Sequence, residues 1–385
     1  MEDGDEVIVL PGTYDLGNGN IELSDVINLH GALGRPRPVI TSTAGNGTTL
    51  DGGSVRVHDL IFRSFDDNPI YGALGTAGTA VVERVVAVSQ NAPGCRVGPP
   101  LAAGIIRDTV CATGGSAVAG LEVGASGASA FGYRLRNVTA LGYGAGSLGL
   151  HAELVNGGAM TVFGRNVIAR GSGATADVAA ATVNSGALTV DLAYSNYLSR
   201  ETSGAGAESI TDPATANNQT DPPDLADPVD GDFHQLRSSP TIDAGGEAPD
   251  VDLLGQLDFE RQPRIQGSGV DIGADEFDDR LRLKAKAKRK QKAKKLKVKV
   301  SCPEEECHVF ARGRASVEGE RFKLKKAKQR FLEAGEKVKL RLKAKELDEL
   351  RAALADSDGK AKIAVGATDA GGITAKKVLK VKLVA

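Results

Sequence analysis

Tryptophan is absent, aromatic residues make up 4% of the 385 positions, and the four cysteines and five histidines are scattered. Cys95, Cys111, Cys302 and Cys307 lack the CxxC and His spacing of a zinc site, which argues against metal binding through sulfur. No stretch approaches the roughly 18 apolar residues of a membrane span. No Ser or Cys stands in a nucleophile setting such as GxSxG. The opening Met1-Glu2-Asp3-Gly4-Asp5-Glu6 is acidic and has no cationic segment leading into an apolar one, so no signal peptide is visible. Lysine is missing from the whole chain before Lys284.

That last absence divides the molecule. Residues 1–278 carry 35 acidic residues against 15 Arg, a formal −20, and residues 279–385 carry 14 against 32 basic residues, a formal +18. Opposite charge and different basic residues mark separate modules with separate partners, with a boundary near Asp278. The length allows two or three domains.

Glycine is plentiful at 48 copies, without a triplet period and mixed with Val, Ile, Leu, Thr and Asn. Such a composition predicts many short strands and turns, an all-β chain. A pattern recurs every 24 to 30 residues or so. It reads Val57-x-Asp59-Leu60-x-Phe62, Val82-x-Arg84-Val85-x-Ala87, Ile106-x-Asp108-Thr109-x-Cys111 and Leu135-x-Asn137-Val138-x-Ala140. Weaker copies are Gly164-x-Asn166-Val167-x-Ala169 and Tyr194-x-Asn196-Tyr197-x-Ser199. Each copy is a strand, a polar corner and a second strand, too small to bury its own apolar face, so coils must stack. Asn137, Asn166 and Asn196 are expected at one corner, where asparagine tolerates left-handed backbone and its amide reaches the next coil. Gly-rich stretches at 142–149 and 171–173 suit looser turns. The alternative is an antiparallel sandwich, disfavoured because hairpin-type Asn-Gly pairs are few, as at Asn46-Gly47 and Asn156-Gly157.

Two stretches resemble known bacterial sequences. Gly4 to Tyr14, with Val7-Ile8-Val9-Leu10-Pro11-Gly12, resembles the opening coil of secreted pectate-lyase-like β-helix proteins. Gly231-Asp232-Phe233-His234, Ser239 to Gly245, Asp258 to Arg264 and Val270 to Phe277 resemble the end of the choice-of-anchor Q proteins, a β-helix group with varied surface anchors. The resemblance covers about residues 1–278 and implies a right-handed parallel β-helix that is secreted or held at the cell surface. Such proteins carry an export signal and a cap before the Val-Ile-Val-Leu-Pro strand. An upstream start is therefore expected; an in-frame stop just before Met1 in the genomic DNA would exclude it.

In the basic module, ten of the sixteen residues from Lys284 to Lys299 are Lys or Arg. Residues 279–295 suit a solvated linker kept extended by self-repulsion. From Leu296 the pattern alternates strictly: Leu296-x-Val298-x-Val300, Phe322-x-Leu324, Val338-x-Leu340-x-Leu342, Ile363-x-Val365 and Val381-x-Leu383. Period-two strands with Lys between the apolar positions describe a sheet with one buried face and one cationic face. A helix is expected over Ala344 to Leu354, with turns at Asp358-Gly359 and Gly371-Gly372. The pattern of residues 296–385 resembles small immunoglobulin-like modules of secreted bacterial proteins. In an exported protein a disulfide from Cys302 to Cys307 would close the turn after the first strand. Cys111 shares a column with Phe62 and Ala87; a bridge to Cys95 and a buried thiol are both open.

Catalysis needs clustered carboxylates or a lyase base beside an acidic calcium site. Asp66-Asp67 beside Arg63 is the best local pair, yet adjacent residues on extended backbone point apart, and a turn is the better reading. Asp221, Asp224, Asp227, Asp230 and Asp232 lack calcium-loop spacing and read as turns. Asp271 and Glu276 read as anchors of the last coil. His30, His58, His151, His234 and His308 are dispersed, and His58 falls at an outward, exposed position. No paired-carboxylate constellation is expected from adjacent coils. The Lys-rich region admits nucleic acid, but no aromatics interleave with the cations. These features predict a monomeric, non-enzymatic surface protein, without cofactor or metal, whose β-helix contacts carbohydrate or protein and whose cationic module meets an anionic envelope polymer. A polysaccharide lyase or glycoside hydrolase of the same fold is the rival reading.

Overall fold

Short strands of Val, Ile, Leu and Ala separated by tight polar corners bury their apolar side chains by stacking coil on coil. The computed structural model describes residues 4–23, 26–44, 47–50, 54–73, 79–98, 103–173, 176–246, 257–278, 280–303, 306–355, 357–369 and 374–384. It divides into two units, Met1–Asp278 and Asp279–Ala385.

The first unit is a parallel β-helix. One face stacks Asp5–Val9, Ile27–Gly31, Val55–His58 and Thr79–Glu83 onto the first half of Ala103–Thr113. A second face stacks Thr13–Asp15, Val39–Ser42, Ile61–Ser64 and Val86–Ser89 onto the second half of that strand. Ala130–Gly142 and Ala159–Arg170 likewise run through the corner and serve both faces. An eight-stranded third face runs from Ile21–Leu23 to Arg200–Gly204. Its pairings are parallel throughout, which overturns the antiparallel alternative.

The repeat is visible in the register. Val57, Val82, Ile106, Leu135 and Gly164 are successive partners, as are Phe62, Ala87, Cys111, Ala140 and Ala169. All of these but Gly164, which has no side chain, point into one core that also takes Leu121, Leu150, Val178 and Tyr197. Cys111 is bonded to Cys95 across that core. Between the two columns the corner residues Asp59, Arg84, Asp108, Asn137 and Asn166 have φ of 59°, 50°, 49°, 51° and 56°. The amide of Asn137 donates to Asp108 at 2.9 Å and that of Asn166 to Asn137 at 2.9 Å, so the corner is a buried ladder of side-chain hydrogen bonds.

In the last copy the expected alignment is two residues off. Leu192 pairs with Gly164, so Tyr194, with φ of 50°, turns the corner, and Asn196 pairs with Ile168 beyond it. A shift of two keeps strand parity, so Tyr197 still faces the core. Asn196 instead accepts from Arg170 and donates to the carbonyl of Asp221.

The second unit is a β-sandwich. A three-stranded antiparallel sheet joins Lys284–Ala287, Leu296–Ser301 and Val338–Leu342. A six-stranded sheet joins Lys290–Lys292, Thr374–Val384, Gly359–Thr368, Cys307–Val317 and Glu320–Lys323, with Arg330–Leu332 also on Cys307–Val317. Leu296, Val298, Val300, Leu340 and Leu342 meet Val309, Ala311, Ile363, Val365 and Leu383 in its core. The expected linker is corrected: within residues 279–295, Lys284–Ala287 and Lys290–Lys292 are sheet strands. Ala285 and Ala293 go inward, and backbone pairing outweighs lysine repulsion because the cations stay in water. The helix is Leu347–Ala353, shorter than expected at its start because Ala344 bridges Leu324. Cys302 is bonded to Cys307. The expected turn at Gly371-Gly372 and residue Asn46 lie outside the described residues.

Asn137→Ala removes a bonded amide from a buried ladder and leaves the Cβ at positive φ without the side-chain hydrogen bonding that offsets its cost in asparagine. The backbone cost is about 1–2 kcal/mol, and an orphaned buried partner adds roughly 1–3 kcal/mol. Urea unfolding should show a loss of about 2–5 kcal/mol for Asn137→Ala and less for Asn137→Gly, which relieves the backbone; equal losses would sink the left-handed corner as the cause.

Candidate functional site

Outward positions of the first β-helix face bring together charges that lie far apart in the chain. His30 pairs in register with His58, and the rings stack 4.5 Å apart at 4°. His58 was expected to be exposed, but it is 7% exposed, because the ring packs against His30 and its Nδ1 lies 2.7 Å from Asp59 Oδ2. Burial lowers the His58 pKa although Asp59 opposes it. Glu83, on the next strand, receives Arg56 at 2.6 Å and Arg107 at 2.8 Å and also meets Arg84. Arg84 reaches back to both Asp59 oxygens, at 3.0 and 3.1 Å. Two carboxylates from successive coils are thus joined by Arg84, contrary to the expectation that no such pair forms. Sequence pattern hides this, because the repeat reads alternate columns while this cluster combines an outward column with the corner.

The cluster is saturated. Asp59 Oδ1 accepts from Arg84 and, at 2.6 Å, from Arg261, and Oδ2 accepts from Arg84 and meets His58. A carboxylate has about four lone-pair sites, so these four contacts fill it. Burial pushes the Asp59 carboxyl up, but the bonds from His58, Arg84 and Arg261 outweigh that and hold it below the ordinary carboxylate range. Such a group neither gives a proton nor readily takes one, which ill suits general acid–base work.

Arg261 belongs to a strap, described at residues 221–246 and 257–278, laid over the outside of the second face. Phe233, Phe259, Ile272 and Ala274 cover Val86, Val110, Ala112, Leu141 and Ile168 in a separate apolar cluster. The Gly273 amide donates to the corner carbonyl of Asn166 at 3.0 Å, the Gly246 amide to its side chain at 2.8 Å, and the Ala274 amide to Thr139 Oγ1 at 2.9 Å. Asp271 and Glu276 therefore anchor this strap rather than the last coil. Their carboxylates, with those of Asp258 and Asp275, accept backbone amides of Phe277, Gln266, Gln262 and Gln235 at 2.6 to 3.2 Å. The residues that carry the choice-of-anchor Q resemblance thus fold and seat the strap. Burial raises Asp271 to about 6, Asp275 to about 7 and Glu276 to about 8.

Asp66 and Asp67 occupy a turn: Asp66 accepts from Asn91 at 2.7 Å, and Asp67 caps the amide of Asn68 at 2.8 Å. In the aspartate run, Asp227 and Asp232 are partners across the hairpin Leu225–Asp227 and Asp232–Gln235. Asp224 Oδ2 accepts from Ser238, and His234 lies between Asp232 and Glu260. His151 is a half-buried strand residue paired with Glu122 and Ala179, and His308 packs on Phe331. Among the described residues no three His, Cys, Asp or Glu side chains are grouped to hold a metal ion.

The sandwich presents a different arrangement. On the outer side of the three-stranded sheet stand Lys284, Lys286, Lys297, Lys299, Lys339 and Arg341, all exposed. Lys299 lies directly between Lys286 and Lys339, and Lys297 faces Arg341. Neighbouring cations, Arg341 first, lower the pKa of Lys295 at the edge of this field. Like charges placed directly opposite destabilise a sheet, and here no acidic side chain occupies an outward strand position between them.

The strand pairings define the class: a parallel β-helix followed by a β-sandwich. No family model and no curated protein matches the chain. Among solved structures the chain is similar to the crystal structure of pectate lyase Pel9A, at 13% identity over 72% of this chain and 88% of that one, with a TM-score of 0.28.

The strap should respond to pH. Asp271, Asp275 and Glu276 have folded pKa values above the ordinary 3.8 and 4.5, so at these three groups the native state holds extra protons between about pH 4 and 8. Stability from these groups is present below about pH 4 and is lost as pH rises through 6 to 8. Hydrogen-exchange protection factors at residues 257–278 should fall across that window, and Asp275→Asn should flatten the fall; protection that rises with pH would contradict the assignment.

Proposed function

We propose that this chain is a non-enzymatic, exported or surface-held protein whose cationic sandwich, an immunoglobulin-like module, holds it on an anionic envelope polymer while the β-helix flank contacts carbohydrate or protein. The observation that carries the reading is the outward grid of Lys284, Lys286, Lys297, Lys299, Lys339 and Arg341. A flat field of Lys attracts polyanions by long-range charge rather than by a shaped pocket. Its contacts fade with salt, since the screening length is about 8 Å near 0.15 M and shorter above it.

The full chain should bind an anionic envelope polymer at low salt and release it at roughly 0.5 M. Replacing Lys286, Lys299 and Lys339 together by Gln should weaken binding several-fold. Binding that persists unchanged at high salt, or that ignores the triple substitution, would remove the charge field as its basis.

The rival enzyme reading rests on Asp59 and Glu83, joined by Arg84 beside the stacked histidines. Asp59 is filled by Arg84, Arg261 and His58, and Glu83 is held by three arginines, which favours a structural role. The full chain, incubated with pectin, alginate and related acidic polymers with added calcium, should release no products; turnover abolished by Glu83→Gln would make the chain an enzyme.

A further inference from the structure

The second sheet of the sandwich carries a cationic face of its own. Across it Lys323, Arg314, Lys362 and Lys380 are successive register partners in one row. The next row holds Arg321, Ser316, Lys360, Lys382 and Lys290. Every cation named in these rows is exposed. Their strand neighbours Ala315, Val317, Ala361, Ile363, Val381 and Leu383 are in the core, so the rows point away from the three-stranded sheet. Among the described acids, Glu318, Glu333, Glu336, Glu346, Asp348 and Glu349 sit at turns or by the helix, Glu320 opens the strand Glu320–Lys323, and Glu306 and Asp369 lie just outside strands. Asp358 reaches one row, through Lys382 at its end.

We infer that the sandwich is a two-sided module that bridges two strands of a flexible, base-free phosphate polymer, one on each sheet. The inference rests on the polymer-binding reading above and adds the second surface and the ligand chemistry. Packed sheets lie about 10 Å apart, and the outward side chains add to that distance. The two charge fields are therefore separated by more than the roughly 8 Å screening length of physiological salt. Each attracts its own polymer strand without being neutralised by the other's ligand.

The ligand class follows from the residues. Five of the six cations on the three-stranded sheet are Lys, compact, strongly hydrated point charges that hold phosphate oxygens without the fixed bidentate geometry of an Arg fork, which suits a flexible polymer. Cations repeat about 4.8 Å apart across strands and roughly 6.7 Å along them, so a flexible chain with closely spaced charges can follow either direction. The outward positions of this sheet hold no aromatic ring, and on the six-stranded sheet the exposed Phe310 and Phe331 lie outside the two cation rows, so neither set of cations has rings interleaved with it on which bases would stack. A merely solubilising surface would intersperse the two signs. Here like charges are opposed on both faces, at a cost to the sheet that a bound polyanion would relieve.

The test uses the full chain and long-chain inorganic polyphosphate. Light scattering reads bridging, and anisotropy of a labelled short polyphosphate reads binding. Two variants each neutralise one face: Lys286→Gln with Lys299→Gln and Lys339→Gln, and Arg314→Gln with Lys362→Gln and Lys380→Gln. The unaltered protein should scatter strongly near charge equivalence and clear with excess polymer or at about 0.5 M salt. Each variant should still bind the short probe, weakened about two- to five-fold, while its scattering falls about tenfold or more. Bridging is overturned if the unaltered protein binds without scattering, if one variant abolishes binding, or if both scatter like the parent. Scattering by protein alone at low salt would assign the faces to the acidic β-helix of a second copy, and tighter binding to duplex DNA at equal salt would overturn the base-free ligand. Failure to bind polyphosphate or any envelope polymer would remove the polymer-binding reading itself.

Discussion

A single coil of the first unit cannot bury its own apolar residues, and every feature of that unit follows from the need to stack. Stacking requires the chain to turn the same corner in register, and the corner requires positive φ. Asp, Asn and Arg occupy it because their side chains can bond to the coil above or below, as Asn166, Asn137 and Asp108 do. The solution places polar groups at 0% exposure, where an unmade bond is expensive.

The strap answers that second problem. Its backbone amides at Gly246 and Gly273 reach the side chain and carbonyl of Asn166, and Arg261 meets Asp59. Its apolar residues cover the outward valines and isoleucine of the second face. The price is a set of buried carboxylates around Arg264, which burial holds protonated further up the pH scale than free acids. Covering the corner and raising these carboxyl pKa values are therefore consequences of one arrangement.

The two units treat charge in opposite ways. In the β-helix, Arg56, Arg84, Arg107 and Arg261 converge on Asp59 and Glu83 and lock those carboxylates in ion pairs. In the sandwich, lysines face lysines across both sheets, and the acids stay at the turns. The first pattern holds a structure together; the second leaves a field available to a partner.

The all-β class, the stacked repeat, the charge boundary near Asp278 and the alternating sandwich strands were legible in the residues, because period-two patterning and a short repeat are local signals. Local signals do not set register, so only the stacked coils showed that Tyr194 rather than Asn196 turns the last corner. Lysine repulsion in residues 284–292 suggested a linker, and pairing with strands from far along the chain made them sheet. The stacking of His30 on His58 and the joining of Asp59 to Glu83 through Arg84 depend on which outward positions of successive coils coincide. That coincidence is fixed by coil length and corner geometry together, a property of the assembled stack that no single stretch of sequence contains.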